Sequence, residues 1–255
     1  MDKVYNKIID ASSIDISLIE EMSKLAFLNN KIPKIIHFCF LDYRNITEKH
    51  LKYLKTWFDV LDDSYMFVNW TPELIGPVCE IEEYFLENNK FAFYADYIRC
   101  ARVYQYGGIY LDCDVNVWKP FDELLGFDYV FDCELDAPYM ECAAFMSKKN
   151  NRFLEIIKNE YEKKKASDYI KDPKSFLAPT FWCDALNNNG VTVYSHIKTL
   201  QEYSEKLSKK SKIAFFTLDT SYLSCPCKRS IWTGINQIPT EKTFCSHMFE
   251  GTWSY

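Results

Sequence analysis

The sequence predicts an α/β fold, a mixed sheet flanked by helices in a single domain, from three observations. Short β-branched and aromatic runs alternate with helical patterns, the order strand, helix, strand, helix, strand that builds a sheet with helices packed on it. Gly107-Gly108 ends one helical pattern, and the chain passes at once into the strand-like Ile109-Tyr110-Leu111. The 255 residues are 48% hydrophobic and 26% charged, which supplies one full core and excludes disordered, collagen-like and coiled-coil chains.

Taken in order, residues 1–31 carry charges throughout but place Ile16, Ile19, Met22 and Phe27 at helical spacing, which predicts a helical lead-in. A buried strand is expected over residues 32–40, opened by Pro33. Thr47 starts an amphipathic helix with Leu51, Leu54 and Phe58 on one face. Residues 65–70 read as a strand, 80–88 and 92–106 as helices, and 109–111, 129–133 and 141–146 as further strands. An amphipathic helix follows over 152–165, and residues 167–189, with Pro173, Pro179 and three consecutive asparagines, read as loop-rich. Nothing long enough to act as a linker divides residues 32–255, which predicts one domain there.

The net charge of −6 argues against a protein that works by neutralising nucleic-acid phosphates. Lysines cluster at Lys148-Lys149, Lys163-Lys164-Lys165 and between Lys206 and Lys212, where alternation with Glu and Ser reads as solvated helix faces. A weak attraction to anionic lipid head groups is the alternative reading, and no apolar run approaches the ~18 residues of a membrane span. The ten cysteines are scattered, mostly inside apolar runs, and no signal-peptide pattern precedes them, so a reducing cytoplasm is expected. Cys225-Pro226-Cys227 lacks the second pair that a structural zinc site needs.

The most informative stretch is residues 91–120. Asp112 and Asp114 flank Cys113 just after the 109–111 strand, and acids at the carboxyl end of a sheet strand face the crevice where α/β proteins bind ligands. Two such acids need a cation or donors to compensate them, and an all-oxygen site favours Mg2+ or Mn2+. Alone, the pair reads more simply as a solvated turn. Asp96 and Arg99, three apart on a helix face, read locally as an exposed ion pair worth about 0.3–0.5 kcal/mol. Cys113, between the acids, is expected to face away from the site.

With those residues in view, Ala95-Asp96-Tyr97-Ile98-Arg99 followed by Tyr106-Gly107-Gly108-Ile109-Tyr110-Leu111-Asp112-Cys113-Asp114-Val115 resembles the sugar-binding region of Asp-x-Asp glycosyltransferases of family 32. That family includes bacterial capsular and lipopolysaccharide enzymes and fungal mannosyltransferases, and the glucosylating clostridial toxins share the arrangement. Residues 32–40 are similar to its opening nucleotide-binding strand, and His247-Met248-Phe249-Glu250-Gly251-Thr252-Trp253 resembles its closing His-x-x-x-Gly-Ser-Trp element. The resemblance implies a GT-A fold over residues 32–255, a nucleotide-sugar donor and a divalent metal, Mn2+ or Mg2+. It implies that Asp114, with His247, holds the metal and that Asp112 contacts the ribose or donor sugar. Asp96 and Arg99 would hold sugar hydroxyls, and Thr252 and Trp253 would close over the diphosphate. Phe40 stands where the family has a tryptophan on the nucleobase, Asp42 where a glycine is common, and Thr252 where a serine is usual.

The activity so implied is retaining transfer of a hexose, from a UDP-sugar by expectation, to a saccharide or lipid-linked saccharide in surface polysaccharide synthesis, at the inner face of the membrane or in the cytoplasm. A same-face path is expected, because no carboxylate is marked as a nucleophile; Asp132, Glu134, Asp136 and Asp184 are unplaced. Tyr139, Phe181 and Trp182 are candidates for stacking on an acceptor ring, with core packing an equal explanation. Two rival readings are a sugar-binding module without catalysis and a haloacid-dehalogenase-type phosphatase with Asp112 as nucleophile. The second fits poorly, since that motif normally lies near the N-terminus and carries Thr or Val where this chain has Asn116.

Overall fold

The computed structural model describes residues 2–42, 48–133, 139–225 and 239–250. Two helices, α1 (Asp2–Ala11) and α2 (Ile16–Leu28), precede strand β1 (Ile35–Phe38). Then come α3 (Glu48–Val60), β2 (Met66–Asn69), α4 (Glu80–Glu87), α5 (Phe91–Tyr106), β3 (Gly108–Leu111) and β4 (Val115–Val117). Strands β5 (Tyr129–Cys133) and β6 (Met140–Ser147) lead into α6 (Arg152–Glu162), α7 (Ala166–Lys171) and α8 (Ala178–Asn188). The described elements end with β7 (Thr192–Ile197), α9 (Leu200–Leu207), β8 (Ala214–Leu218) and β9 (Cys245–His247).

Seven strands form one sheet in the order β2-β1-β3-β6-β5-β8-β7, and β4 pairs with β9 in a separate ribbon. Within the large sheet β6 alone runs against its neighbours, antiparallel to both β3 and β5. This is the mixed, helix-flanked α/β sheet expected from the sequence. The chain leaves β1 for β2 on one side, and β3 returns on the other, so the crevice beyond the carboxyl ends of β1 and β3 is a topological switch point.

The apolar residues of all layers form one core, from Ile8 and Ile19 of the first two helices to Phe215 of β8. Helix α5 has little amphipathicity because it is enclosed: ten of its residues from Phe93 to Val103 are buried, Asp96, Arg99 and Arg102 among them. His37 of β1 is a buried structural histidine. Trp70 Nε1 donates to its Nδ1 at 2.9 Å, and Nε2 lies 2.7 Å from the Gly107 carbonyl, which it serves as donor. Burial holds that imidazole neutral, with its pKa lowered to about 4.

The sequence is misread in one long segment. Residues 167–189 are mostly helical, because Pro173 and Pro179 sit at the first turn of a 3-10 helix and of α8, where a missing N–H costs nothing. Their aromatic residues face inward. Phe181 stacks on Tyr161 at 4.0 Å between ring centroids, and Trp182, fully buried, packs edge-on against Phe145. Neither is placed to stack on an acceptor sugar. Among the described residues no helix is long and apolar enough to cross a membrane.

Candidate active site

The site grows from the carboxyl end of β3. The strand ends at Leu111, and Asp112 keeps one further bond to β6, donating its N–H to the Ala143 carbonyl at 2.7 Å. Cys113 and Asp114 then turn, with Val115 N–H bonding back to the Asp112 carbonyl at 2.9 Å. The two acids are two residues apart, a spacing that shares a face in a strand, and the turn keeps their side chains on one point. Cys113 points elsewhere: its Sγ lies 3.7 Å from the Cys39 carbonyl at the end of β1.

Asp112 is held from below by α5. Arg99 grips it with two contacts, Nη1 to Oδ2 and Nη2 to Oδ1, each 3.1 Å, and Tyr110 OH donates to Oδ1 at 2.8 Å. The same guanidinium lies 2.9 Å from Asp96 Oδ1, donates to the Cys142 carbonyl at 2.8 Å and sits over the Tyr110 ring. Asp96 and Arg99 are 1% and 4% exposed, so the surface ion pair suggested by their spacing is a buried one. Burial raises the Asp96 carboxyl to about 7 against the pull of Arg99, and its Oδ2 has no hydrogen-bond partner among the described residues. Burial likewise lifts Asp112 above the ordinary carboxylate value, with Arg99 opposing.

Asp114 is fixed from the other side by β9, the last of the described strands. In the β4–β9 ribbon His247 lies opposite Val115, one residue beyond Asp114. Met248 N–H donates to the Asp114 carbonyl at 3.1 Å, and Glu250 N–H to Asp114 Oδ2 at 2.9 Å. Trp57 Nε1 of α3 donates to the Val115 carbonyl at 2.7 Å, and Trp118 Nε1 to Ser246 Oγ at 2.8 Å, so both strands of the ribbon are anchored. His247 Nε2 stands 3.5 Å from Asp114 Oδ2. Burial alone would raise the Asp114 carboxyl, but the facing imidazole and the Glu250 N–H bring it down to about 2.

One residue of the cluster has no counterpart in the sequence reading. Glu141, near the start of β6, is 5% exposed; its Oε1 accepts from Ala143 N–H at 2.9 Å and its Oε2 faces His247 Nδ1 at 3.4 Å. The signal was a single acid inside the apolar run Met140-Glu141-Cys142-Ala143-Ala144, since a carboxylate in a buried strand needs a partner. Of the unplaced acids, Asp132 is buried and caps a turn, accepting from Leu223 N–H at 2.6 Å and Ser224 N–H at 3.0 Å. Asp184 is exposed on α8, and Glu134 and Asp136 lie outside the described residues. Thr252 and Trp253 also lie outside them. Phe40, just past β1, is half-buried, with its N–H on Asn69 Oδ1 at 2.8 Å; Tyr139, before β6, is 38% exposed.

Asp112, Asp114 and His247 each offer one ligand atom, and these atoms lie within 4.8 Å of one another. Two carboxylates and an imidazole whose far nitrogen faces a carboxylate form a donor set that suits a divalent ion such as Mn2+ or Mg2+.

Residues 41–131 match the family model of a glycosyltransferase sugar-binding region containing the DXD motif. The chain therefore carries a region similar to that sugar-binding region, with Asp112-Cys113-Asp114 inside it. No curated protein matches the sequence. Among solved structures the chain is similar to one named PaToxG Glycosyltransferase, with a TM-score of 0.47 and 17% identity over 81% of this chain and 84% of that one.

Proposed function

We propose that the protein is a metal-dependent, retaining glycosyltransferase that moves a hexose from a nucleotide sugar, a UDP-hexose by preference, to a saccharide or lipid-linked saccharide acceptor. Residues 32–255 would form the GT-A-type transferase domain, with residues 1–31 as a helical lead-in packed onto it. The observation that carries the proposal is the convergence of Asp112, Asp114 and His247 at the carboxyl end of β3, inside the segment similar to the DXD region.

In this reading Asp114 and His247 hold Mn2+ or Mg2+, whose chemistry is to neutralise the charge that develops on a departing diphosphate. Asp112 orients the ribose or donor sugar, and the Arg99 clamp fixes the rotamer in which it does so. Asp96 and Arg99 lie beneath it, where they define the floor of the sugar site. Phe40 stacks on the base from the opposite lip of the crevice, Thr252 and Trp253 close over the diphosphate, and Tyr139 meets the acceptor. No carboxylate beyond those already engaged is assigned as a nucleophile, which keeps the same-face path. The phosphatase alternative needs Asp112 free to attack, but both its oxygens are held by Arg99 and Tyr110. A surface-polysaccharide role at the cytoplasmic membrane face follows by analogy of chemistry.

The test is a screen of nucleotide sugars for donor hydrolysis and transfer with and without Mn2+. Activity should require the ion, and Asp114→Asn should remove it by at least about 100-fold while leaving the melting temperature of the ion-free protein within a few degrees. Normal transfer by Asp114→Asn would overturn the assignment.

A further inference from the structure

Glu141 is a buried carboxylate of the site that touches neither Asp112 nor Asp114, and its two oxygens have separate duties. Oε1 is tied to the Ala143 N–H at 2.9 Å within its own strand. That leaves Oε2 pointing at His247 Nδ1, 3.4 Å away, across the gap between the large sheet and the β4–β9 ribbon. His247 Nε2 in turn is directed to Asp114 Oδ2. The imidazole is thus strung between two carboxylates, one in the Asp-x-Asp motif and one on β6.

We propose that Glu141 is a positioning residue that sets the tautomer of His247. Both ring nitrogens face carboxylates, which have only acceptors and favour a proton on each; a metal-ligating Nε2 must give its proton up, and Glu141 then keeps the one that remains on Nδ1. With the proton on Nδ1, the lone pair is on Nε2, the nitrogen that faces Asp114 and the point where the donor set converges. This rests on the metal-dependent reading above. It deepens that reading by giving His247 its ligand nitrogen and by making β6, the antiparallel strand, a functional part of the site.

Chemistry separates this role from simple packing. Glu141→Gln keeps the volume and one oxygen. That oxygen stays with the Ala143 N–H, which places the amide NH2 against Nδ1. Nδ1 must then accept, the proton moves to Nε2, and the nitrogen facing Asp114 loses its lone pair. An isosteric change should therefore weaken metal binding although the fold is kept. Groups that orient a metal-bound histidine are worth about 10- to 100-fold in affinity.

The experiment measures Mn2+ binding by the loss of the free-ion electron paramagnetic resonance signal, without donor or turnover, for the full chain and three variants: Glu141→Gln, His247→Ala and the double variant. Glu141→Gln should weaken binding about 10-fold or more, His247→Ala at least as much, and the double variant no more than His247→Ala. Equal affinity in wild type and Glu141→Gln would overturn the proposal and leave the metal reading standing. So would a Glu141→Gln loss that persists undiminished in the His247→Ala background, since Glu141 would then act through the fold. Absence of Mn2+ binding by the wild-type chain would overturn the metal reading itself. Ion-free melting temperatures of all four proteins identify a variant that fails to fold, and in that case Glu141→Asp, whose shorter carboxylate draws back from Nδ1, takes the place of Glu141→Gln: weaker Mn2+ binding than wild type supports the proposal, and equal binding overturns it.

Discussion

Arg99 shows how much one side chain organises here. Its guanidinium binds Asp112 with two contacts and Asp96 with a third, a fixed fork that lysine cannot reproduce. Helical spacing in the sequence was enough to put Asp96 and Arg99 on one face, but it described a solvated pair. Burial came from the packing around α5, which no local pattern encodes. Phe40 was legible from its place after the first strand, and its half-exposed ring beside the crevice makes a direct prediction. Phe40→Ala should raise the donor's KM about 3- to 10-fold, the equivalent of about 0.5–1.5 kcal/mol of ring stacking, with a smaller change in kcat. Steady-state kinetics with the identified donor check this, and an unchanged KM removes Phe40 from the donor site.

Among the elements, the α5–β3 connection was the most readable because its chemistry is local. Gly107 and Gly108 have φ of +69° and +120°, and a Cβ on Gly108 would come within 2.6 Å of His37 Nε2 and 2.7 Å of the Ile35 carbonyl. The tight return lets Arg99, about two turns up the helix, meet Asp112 at the end of the next strand. Gly108→Ala should cost at least about 1–3 kcal/mol of stability from the backbone conformation alone, with the clash in addition. Urea denaturation measures it, and a neutral result would mean that β1 and β3 can separate without penalty. Helices α7 and α8 were misread for the opposite reason. Prolines and asparagines break helices in the interior but are tolerated at ends, and position within the element is what the local sequence left open. Strands β7 and β8 were not predicted, and α9 was touched only through Lys206, read as part of a solvated helix face; β7 is an edge strand with alternate residues exposed and lacks a continuous apolar run.

At the scale of the whole molecule, the neutral His37 buried in β1 ties stability to pH. The unfolded chain takes up a proton near the ordinary value of 6.5, while the folded imidazole resists protonation until about 4. Its contribution is therefore fully present above pH 6.5 and is lost as pH falls toward 4, in total about 3 kcal/mol. Urea midpoints at several pH values should show this acid loss, and His37→Gln, which cannot titrate, should have a shallower slope between pH 6.5 and 4. Parallel slopes for the two proteins would show that His37 is not the group responsible.

The sequence alone determined the α/β alternation, the turn that ends α5, and the acids at the mouth of β3, because each is a short-range pattern of periodicity, glycine placement or spacing. Only the tertiary structure decided which partners those acids have. His247 is 133 residues beyond Asp114 and reaches it through the β4–β9 register, and Glu141 reaches His247 because β6 runs against β3. Such contacts depend on strand order and direction, which arise from how the whole core closes and not from any stretch of chain that contains the site.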